Sequence, residues 1–214
     1  MKKFFYLFLA LALCASITLS LASCTEEEAK EIFENLSEEE WEQALSAPNF
    51  ENVTIHYEYT QGNVFTKQTA KFTKTGVYRS VEMTSVATGE PAESMAQFFE
   101  GEEADQQRNL FLKTFLAIVE DRDNFVYDES TKLYTAENAE ARIDHNENAY
   151  VTEKIKDGKL SFNSDGNVEK FMCNLTESIY MENELKETHT FDVTWTFSDY
   201  GTTEITAAEK ASKG

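Results

Sequence analysis

Basic residues are scarce in this sequence. It carries 39 aspartates and glutamates against 19 lysines and arginines, for a formal net charge of −20 at pH 7. Nucleic-acid binding needs a basic patch that neutralises phosphates, so this charge argues against a nucleic-acid partner. An anionic membrane surface would repel the chain as well. High net charge is also typical of disorder, but the many aromatic and β-branched residues after residue 50 indicate a packed core.

Histidine is also scarce, and the common metal-binding and catalytic motifs are missing. The histidines are isolated, without zinc-ligand spacing: His56, His145 and His189. Residues 144–148 begin like a calcium loop, but Ala149 stands where glycine is required and Ile155 where the bidentate glutamate belongs. There is no Gly-x-Ser-x-Gly elbow, no phosphate-binding glycine loop and no His-Glu-x-x-His helix. The sequence therefore predicts no enzyme activity, no metal site and no cofactor.

The longest apolar run lies at the amino terminus. Lys2 and Lys3 precede an apolar stretch from Phe4 to Leu13, and small residues then lead to Leu21-Ala22-Ser23-Cys24. This order is the pattern of a secretory leader, and the last four residues resemble the lipobox of bacterial lipoproteins. The resemblance implies that the chain is cut before Cys24, that the Cys24 thiol carries a diacylglyceryl group, and that the new amino terminus is acylated.

A lipidated Cys24 would anchor the protein to a membrane. One acyl chain contributes about 0.8 kcal/mol per buried methylene and binds only marginally, so two chains are needed for stable anchoring. The alternative is an uncleaved transmembrane anchor over residues 4–21, close to the ~20 residues that a bilayer requires. Ser16, Thr18 and Ser20 favour the leader. The sequence thus predicts an extracytoplasmic protein on the outer leaflet of the cell membrane, or on an outer membrane where two membranes are present.

Cysteine is too sparse for a disulfide framework. Cys14 would leave with the leader and Cys24 would carry lipid, so Cys173 alone remains and no intrachain disulfide is expected. Cys173 shares one side of a predicted strand with Phe171 and Leu175, which predicts that it is buried. The chain divides into a signal peptide (1–23), an acidic tether (24–36), a single domain (37–208) and a short tail (209–214).

Hydrophobic periodicity predicts one short helix and then a meander. Ser37 and Glu40 form a capping box for a helix with Trp41 on its apolar face, and Pro48 ends that helix near residue 47. Apolar and polar residues then alternate in three strands joined by turns at 61–63 and 75–76. His56 falls on the polar side of the first strand, so we expect it to be exposed.

The middle of the chain predicts a long helix and a hairpin. Residues 93–120 show helical spacing of apolar residues, with a polar interruption at 101–108. A hairpin is expected around Asp128–Thr131, and the polar residues 137–148 are expected to form a loop.

The carboxyl-terminal part is the most strand-like, and it carries a family resemblance. A strand over 191–197 runs into Phe197-Ser198-Asp199-Tyr200-Gly201 and a short strand up to Ile205, and a hairpin is expected at Asp157-Gly158-Lys159-Leu160. Together these segments resemble the lipoprotein-localisation-factor (LolA-like) superfamily, which includes lipid-carrying lipoproteins of the LppX/LprG type, over roughly residues 41–206. The resemblance implies an α+β fold in which a strongly curved antiparallel sheet forms a half-open barrel. Helices then pack on or plug its concave face, and an acyl chain lies inside.

Inward-facing aromatic residues are the candidates for lining such a cavity, together with apolar residues of the predicted helix. They are Tyr57, Tyr59, Phe72, Phe111, Phe115, Val119, Phe171, Trp195 and Phe197. The same side chains could instead fill the space between sheet and helix at ordinary core density, with no ligand. The leading hypothesis is a lipid-anchored protein that binds a lipid or another hydrophobic ligand. The alternative is a non-enzymatic interaction or structural lipoprotein with a filled core, whose acidic surface binds a basic protein partner.

Overall fold

One antiparallel sheet of nine strands dominates the computed structural model, which describes residues 35–146 and 148–212. Its elements are α1 (Glu38–Ala44), a first 3-10 helix (Ala47–Phe50), β1 (Val53–Gln61), β2 (Val64–Thr73), β3 (Gly76–Ser85), β4 (Pro91–Glu100), α2 (Gly101–Val119), a second 3-10 helix (Arg122–Asn124), β5 (Val126–Asp128), β6 (Leu133–Asn146), β7 (Ala149–Phe162), β8 (Val168–Met181), β9 (Glu184–Ser198) and α3 (Ala207–Lys210).

The strand order is β4-β3-β2-β1-β9-β8-β7-β6-β5, and the sheet does not close, because β4 and β5 form its two edges. Two meanders, β1 to β4 and β5 to β9, meet where β1 pairs with β9 in the middle of the sheet. Tyr57 lies opposite Trp195 there, and Ile55 lies opposite Phe197. The predicted antiparallel sheet is therefore confirmed.

Helix α2 connects the two edges of the sheet. It follows β4 directly and leads to β5, and it contacts β3 and β4 on one side and β6 and β7 on the other. Its Phe115 is fully buried and lies 4.9 Å from the ring of Phe197 and 5.9 Å from that of Phe171. The face of the sheet that carries these buried residues is called the inner face below.

The predicted capping box, the first helix and the first three strands are confirmed. Ser37 and Glu40 form the predicted capping box at the start of α1, and Trp41 is buried on its apolar face. The helix ends at Ala44, and Pro48 lies in the following 3-10 helix. The three predicted strands are β1 to β3, and Gly62 forms the first turn with a positive φ of 59°, which glycine adopts without strain. Leu36, which the sequence assigned to the tether, is buried in the core.

The helix predicted over 93–120 is wrong in its first third. Residues 91–100 form the edge strand β4, which pairs with β3 so that Phe99 lies opposite Val77 and Met95 opposite Val81. A short segment of mixed polarity can fit both the helical and the strand period, and pairing with a neighbouring strand decides between them. The helix begins at Gly101 and includes the segment 101–108 that was expected to interrupt it.

The predictions of a loop after residue 137 and of a hairpin at 157–160 are also wrong, because both segments are parts of long strands. Residues 137–146 belong to β6, whose inward positions 139 and 141 are alanines, too small to give a strong apolar signal. The expected hairpin at 157–160 is a bulge within β7, where Asp157 has φ 55° and the register shifts between Lys156 and Lys159.

The short strand that was expected to end at Ile205 is also wrong. Residues 201–206 form no strand, and Thr206 and Glu209 instead make a capping box for α3. Lys71 pairs with Glu209 at 2.8 Å, and the carbonyl of Ser212 accepts a hydrogen bond from the Phe98 N–H. The last described residues thus pack against β2 and the edge strand β4.

Candidate ligand-binding cleft

The nine predicted cavity residues contribute to the hydrophobic core. Six are fully or almost fully buried: Phe72, Phe115, Val119, Phe171, Trp195 and Phe197. Tyr57, Tyr59 and Phe111 are half-buried and pack against the same core. The rings meet in offset and edge contacts, for example the stacked pair of Phe171 and Trp195 at 5.6 Å between centroids. Aromatic packing fills this part of the inner face.

Beside this core, an open cleft lies between the first half of α2 and the strands β3 and β4. Its volume is about 680 Å³, within the range of ~300–1,000 Å³ that is typical of small-ligand sites. We call it the β3–β4 cleft, and it is lined by Arg79, Val81, Met95, Ala96, Gln97, Phe99, Glu103 and Gln107. None of the nine predicted cavity residues belongs to this lining.

The local structure explains why these side chains converge. Residues two apart on a strand face the same side, and the register places Arg79 opposite Gln97 and Val81 opposite Met95. Both pairs therefore lie on the inner face beside the buried pair Val77 and Phe99. On α2, Glu103 and Gln107 are four residues apart and share one side of the helix.

The apolar wall of the cleft is unusually open to solvent. Met95 exposes 55% of its side chain although it lies on the inner face. Val81 beside it is half-buried, whereas Phe99 at the closed end is buried. The wall therefore offers apolar surface that no other described side chain covers.

Arg79 supplies positive charge inside the cleft. Its Nη1 donates a hydrogen bond to Oε1 of Gln107 at 2.6 Å, and its Nη2 donates to Oε1 of Gln68 at 3.5 Å. The guanidinium also lies 5.2 Å from the ring centroid of Phe111. Burial lowers the pKa of Arg79, but a guanidinium stays protonated at neutral pH.

A second polar group lies on the inner face further along the sheet. Glu153 on β7 is 2% exposed, its Oε1 accepts a hydrogen bond from Thr114 of α2 at 3.3 Å, and its Oε2 has no partner among the described residues. Burial, with a smaller contribution from Glu177 on the paired strand, raises the pKa of Glu153 to about 7. Burial likewise raises the pKa of Cys173 and of Tyr57.

Other predicted residues fall outside a common site. Cys24 lies outside the described residues. Cys173 is buried as predicted, and His56 is half-buried, not exposed, because its Nδ1 contacts Oγ1 of Thr69 at 3.0 Å.

Within residues 35–146 and 148–212, no group of three or more His, Cys, Asp or Glu residues could hold a metal ion. No helix in that part of the chain is long and apolar enough to span a bilayer.

Sequence reasoning missed Arg79, although the sequence contains a signal for it. Arg79 occupies an inward position of a strand between Val77 and Val81, so a charged side chain stands in phase with apolar ones. The residues of β4 were missed because that segment was assigned to a helix.

Comparison with protein-family models, with curated proteins and with solved structures finds no match to this chain.

Proposed function

We propose that this protein is a membrane-anchored extracytoplasmic lipoprotein that binds or carries a lipid or another hydrophobic ligand in the β3–β4 cleft. The observation that carries the proposal is the open cleft of about 680 Å³ with an exposed apolar wall at Val81 and Met95. Exposed apolar surface in a concave site is typical of ligand binding. The resemblance of Leu21-Ala22-Ser23-Cys24 to a lipobox supports the membrane anchor.

A LolA-like arrangement is part of the same proposal. The open antiparallel sheet and the long helix α2 that connects its edges support it. In this arrangement α2 covers the inner face, and the ligand enters beside its first half, where the rings of the core leave space. The expected site therefore moves from the centre of the sheet to its β4 edge.

Binding would be passive. An acyl chain that leaves water gains about 25 cal/mol per Å² of apolar surface that is buried. The cleft is open, so part of the chain stays in contact with water and the affinity is limited. A carrier needs this property because transfer requires release.

A second candidate is an interaction or structural lipoprotein with a basic protein partner. The filled aromatic core beneath α2 favours it, as does the net charge of −20. It differs from the first candidate in the role of the β3–β4 cleft, which would then bind no lipid.

Native mass spectrometry of the mature chain separates the two candidates. Residues 24–214 with Cys24→Ser are produced without lipidation, purified without detergent, and analysed intact and after solvent extraction. A stoichiometric lipid supports the proposed function. A clean apo mass, with no uptake when lipids are offered, contradicts it and favours the interaction lipoprotein.

A further inference from the structure

We infer that the β3–β4 cleft selects amphiphiles with an anionic head group, a carboxylate or a phosphate monoester, and that Arg79 binds this head group. The inference rests on the proposed function and specifies the class of ligand. Its basis is the placement of a positive charge without an ion pair next to an uncovered apolar wall.

Arg79 is the only cationic residue in the lining of the cleft. No carboxylate within residues 35–146 and 148–212 forms an ion pair with it, and burial alone accounts for its shifted pKa. The bonds to Gln107 and Gln68 use two of its five N–H donors, and both acceptors are neutral amides. The guanidinium thus keeps donors available to an anion, and its charge is not neutralised.

A half-buried charge without a counterion gains from binding one. Charge-assisted hydrogen bonds are roughly twice as strong as neutral ones, and the planar guanidinium matches carboxylate and phosphate oxygens in a bidentate geometry. An amine head group would meet the same charge and be repelled, and an alcohol would gain no ion pair. The chemistry of Arg79 therefore favours an anion.

The sheet register sets the direction of the chain. Val77 and Phe99 lie on one side of the Arg79–Gln97 pair and are buried. On the other side, Val81 and Met95 are partly open. An acyl chain whose head group contacts Arg79 therefore extends over Val81 and Met95, toward the turn at residues 86–90 that joins β3 to β4.

The other charges near the cleft repel an anionic head group, so a preference for anions has to come from a specific contact with Arg79. Glu103 lines the cleft one helical turn from Gln107, and the protein as a whole is strongly negative. Nonspecific electrostatic attraction would favour a cationic amphiphile. A preference for anions must consequently come from a local contact. Removal of the Glu103 charge should strengthen anion binding.

Photolabelling of the full lipidated chain tests the inference. The protein is reconstituted in phosphatidylcholine nanodiscs at pH 8.5 and offered four probes with the same diazirine-bearing dodecyl chain. Their head groups are a carboxylate, a phosphate monoester, an alcohol and a trimethylammonium. Labelled peptides are mapped by mass spectrometry, and apparent affinities come from the concentration dependence of labelling.

We expect labelling near Val81 and Met95 by one or both anionic probes, and the pattern identifies the preferred head group. Arg79→Gln should weaken anionic labelling about tenfold or more, the effect of losing a charge-assisted contact, with less than a twofold change for the alcohol. Arg142→Gln removes an equal charge from an exposed position on β6 and is the matched control. Glu103→Gln should increase anionic labelling severalfold.

The outcomes separate the inference from the proposed function. Equal labelling of the cleft by all head groups, or anionic labelling that Arg79→Gln leaves unchanged, overturns the inference and leaves the proposed function standing. If no probe labels the cleft, both are overturned. If Arg79→Gln also loses alcohol labelling, the variant has lost its fold and Glu103→Gln decides, since stronger anionic labelling supports the inference and unchanged labelling overturns it.

Discussion

At the scale of single residues, Glu153 is a carboxyl group in an unfavourable electrostatic environment. Its carboxyl group is almost fully buried, one oxygen has no partner among the described residues, and Glu177 lies opposite it on the paired strand. Each of these conditions disfavours the charged form, so the pKa of Glu153 rises to about 7 from its ordinary value of 4.5.

This raised pKa predicts a pH-dependent stability. Below pH 4.5 the carboxyl is protonated in both the folded and the unfolded state. Between pH 4.5 and about 7 only the folded state keeps the proton, so the free energy of unfolding falls as the pH rises. Above pH 7 the full penalty remains, up to about 3 kcal/mol from a shift of this size.

Glu153→Gln should therefore be more stable than the parent protein at pH 8 and similar to it near pH 4. Urea unfolding across this pH range measures the difference. Glu137→Gln removes an exposed carboxylate from the adjacent strand β6 and controls for the change in net charge. A stability difference between Glu153→Gln and the parent that does not vary with pH would contradict the assignment.

Lipidation is also a prediction about one residue. Cys24→Ala removes the thiol to which the diacylglyceryl group would be attached. We expect the variant to keep its uncut leader or to leave the membrane fraction. Both results are visible by fractionation and intact mass. Normal processing with unchanged membrane attachment would contradict the lipobox interpretation, and Cys173→Ala serves as the matched cysteine control.

At the scale of elements, the inner face has a solid part and an open part. Ala70 on β2 is 0% exposed and belongs to the aromatic core, whereas Met95 on β4 is 55% exposed and lines the cleft. A bulky residue should therefore have opposite effects at these two positions, although both lie on the same face of the sheet.

Ala70→Trp should destabilise the domain by about 1–3 kcal/mol or more, because a well-packed core has no room for the added atoms. Met95→Trp should leave the free energy of unfolding nearly unchanged and reduce uptake of the dodecyl probes, because it fills the cleft. Denaturant unfolding and photolabelling measure the two effects. Probe binding that Met95→Trp does not reduce would place the ligand elsewhere.

At the scale of the whole molecule, the central pairing of β1 with β9 joins the two meanders. The strands that meet there are separated by more than a hundred residues, so the sheet forms only when both ends of the domain are present. Among the strands that the structure describes, neither meander has another one to pair with the edge that it would expose when separated.

Removal of residues 184–214 should therefore abolish cooperative unfolding, because it deletes β9 from the middle of the sheet. Circular dichroism and limited proteolysis report this loss. Deletion of residues 213–214 alone is the control and should preserve the fold. A truncated chain that still unfolds cooperatively would show that the remaining strands form a stable unit without β9.

Local patterns in the sequence were sufficient for several features. The capping box of Ser37 and Glu40 is defined within four residues, and the alternation in β1 and β9 indicates strands without any knowledge of their partners. The burial of Cys173 followed from its phase with Phe171 and Leu175. The charge balance is likewise a property of the chain alone.

Tertiary structure decided the features that depend on partners far away in the chain. β4 is a strand because β3 offers it a register, and β6 is a strand because β7 pairs with its small alanines. Whether aromatic residues line a cavity or fill a core depends on the distance between sheet and helix, which no local pattern encodes. The candidate site accordingly moved to the edge of the sheet, where the rings end and Arg79 faces Gln107.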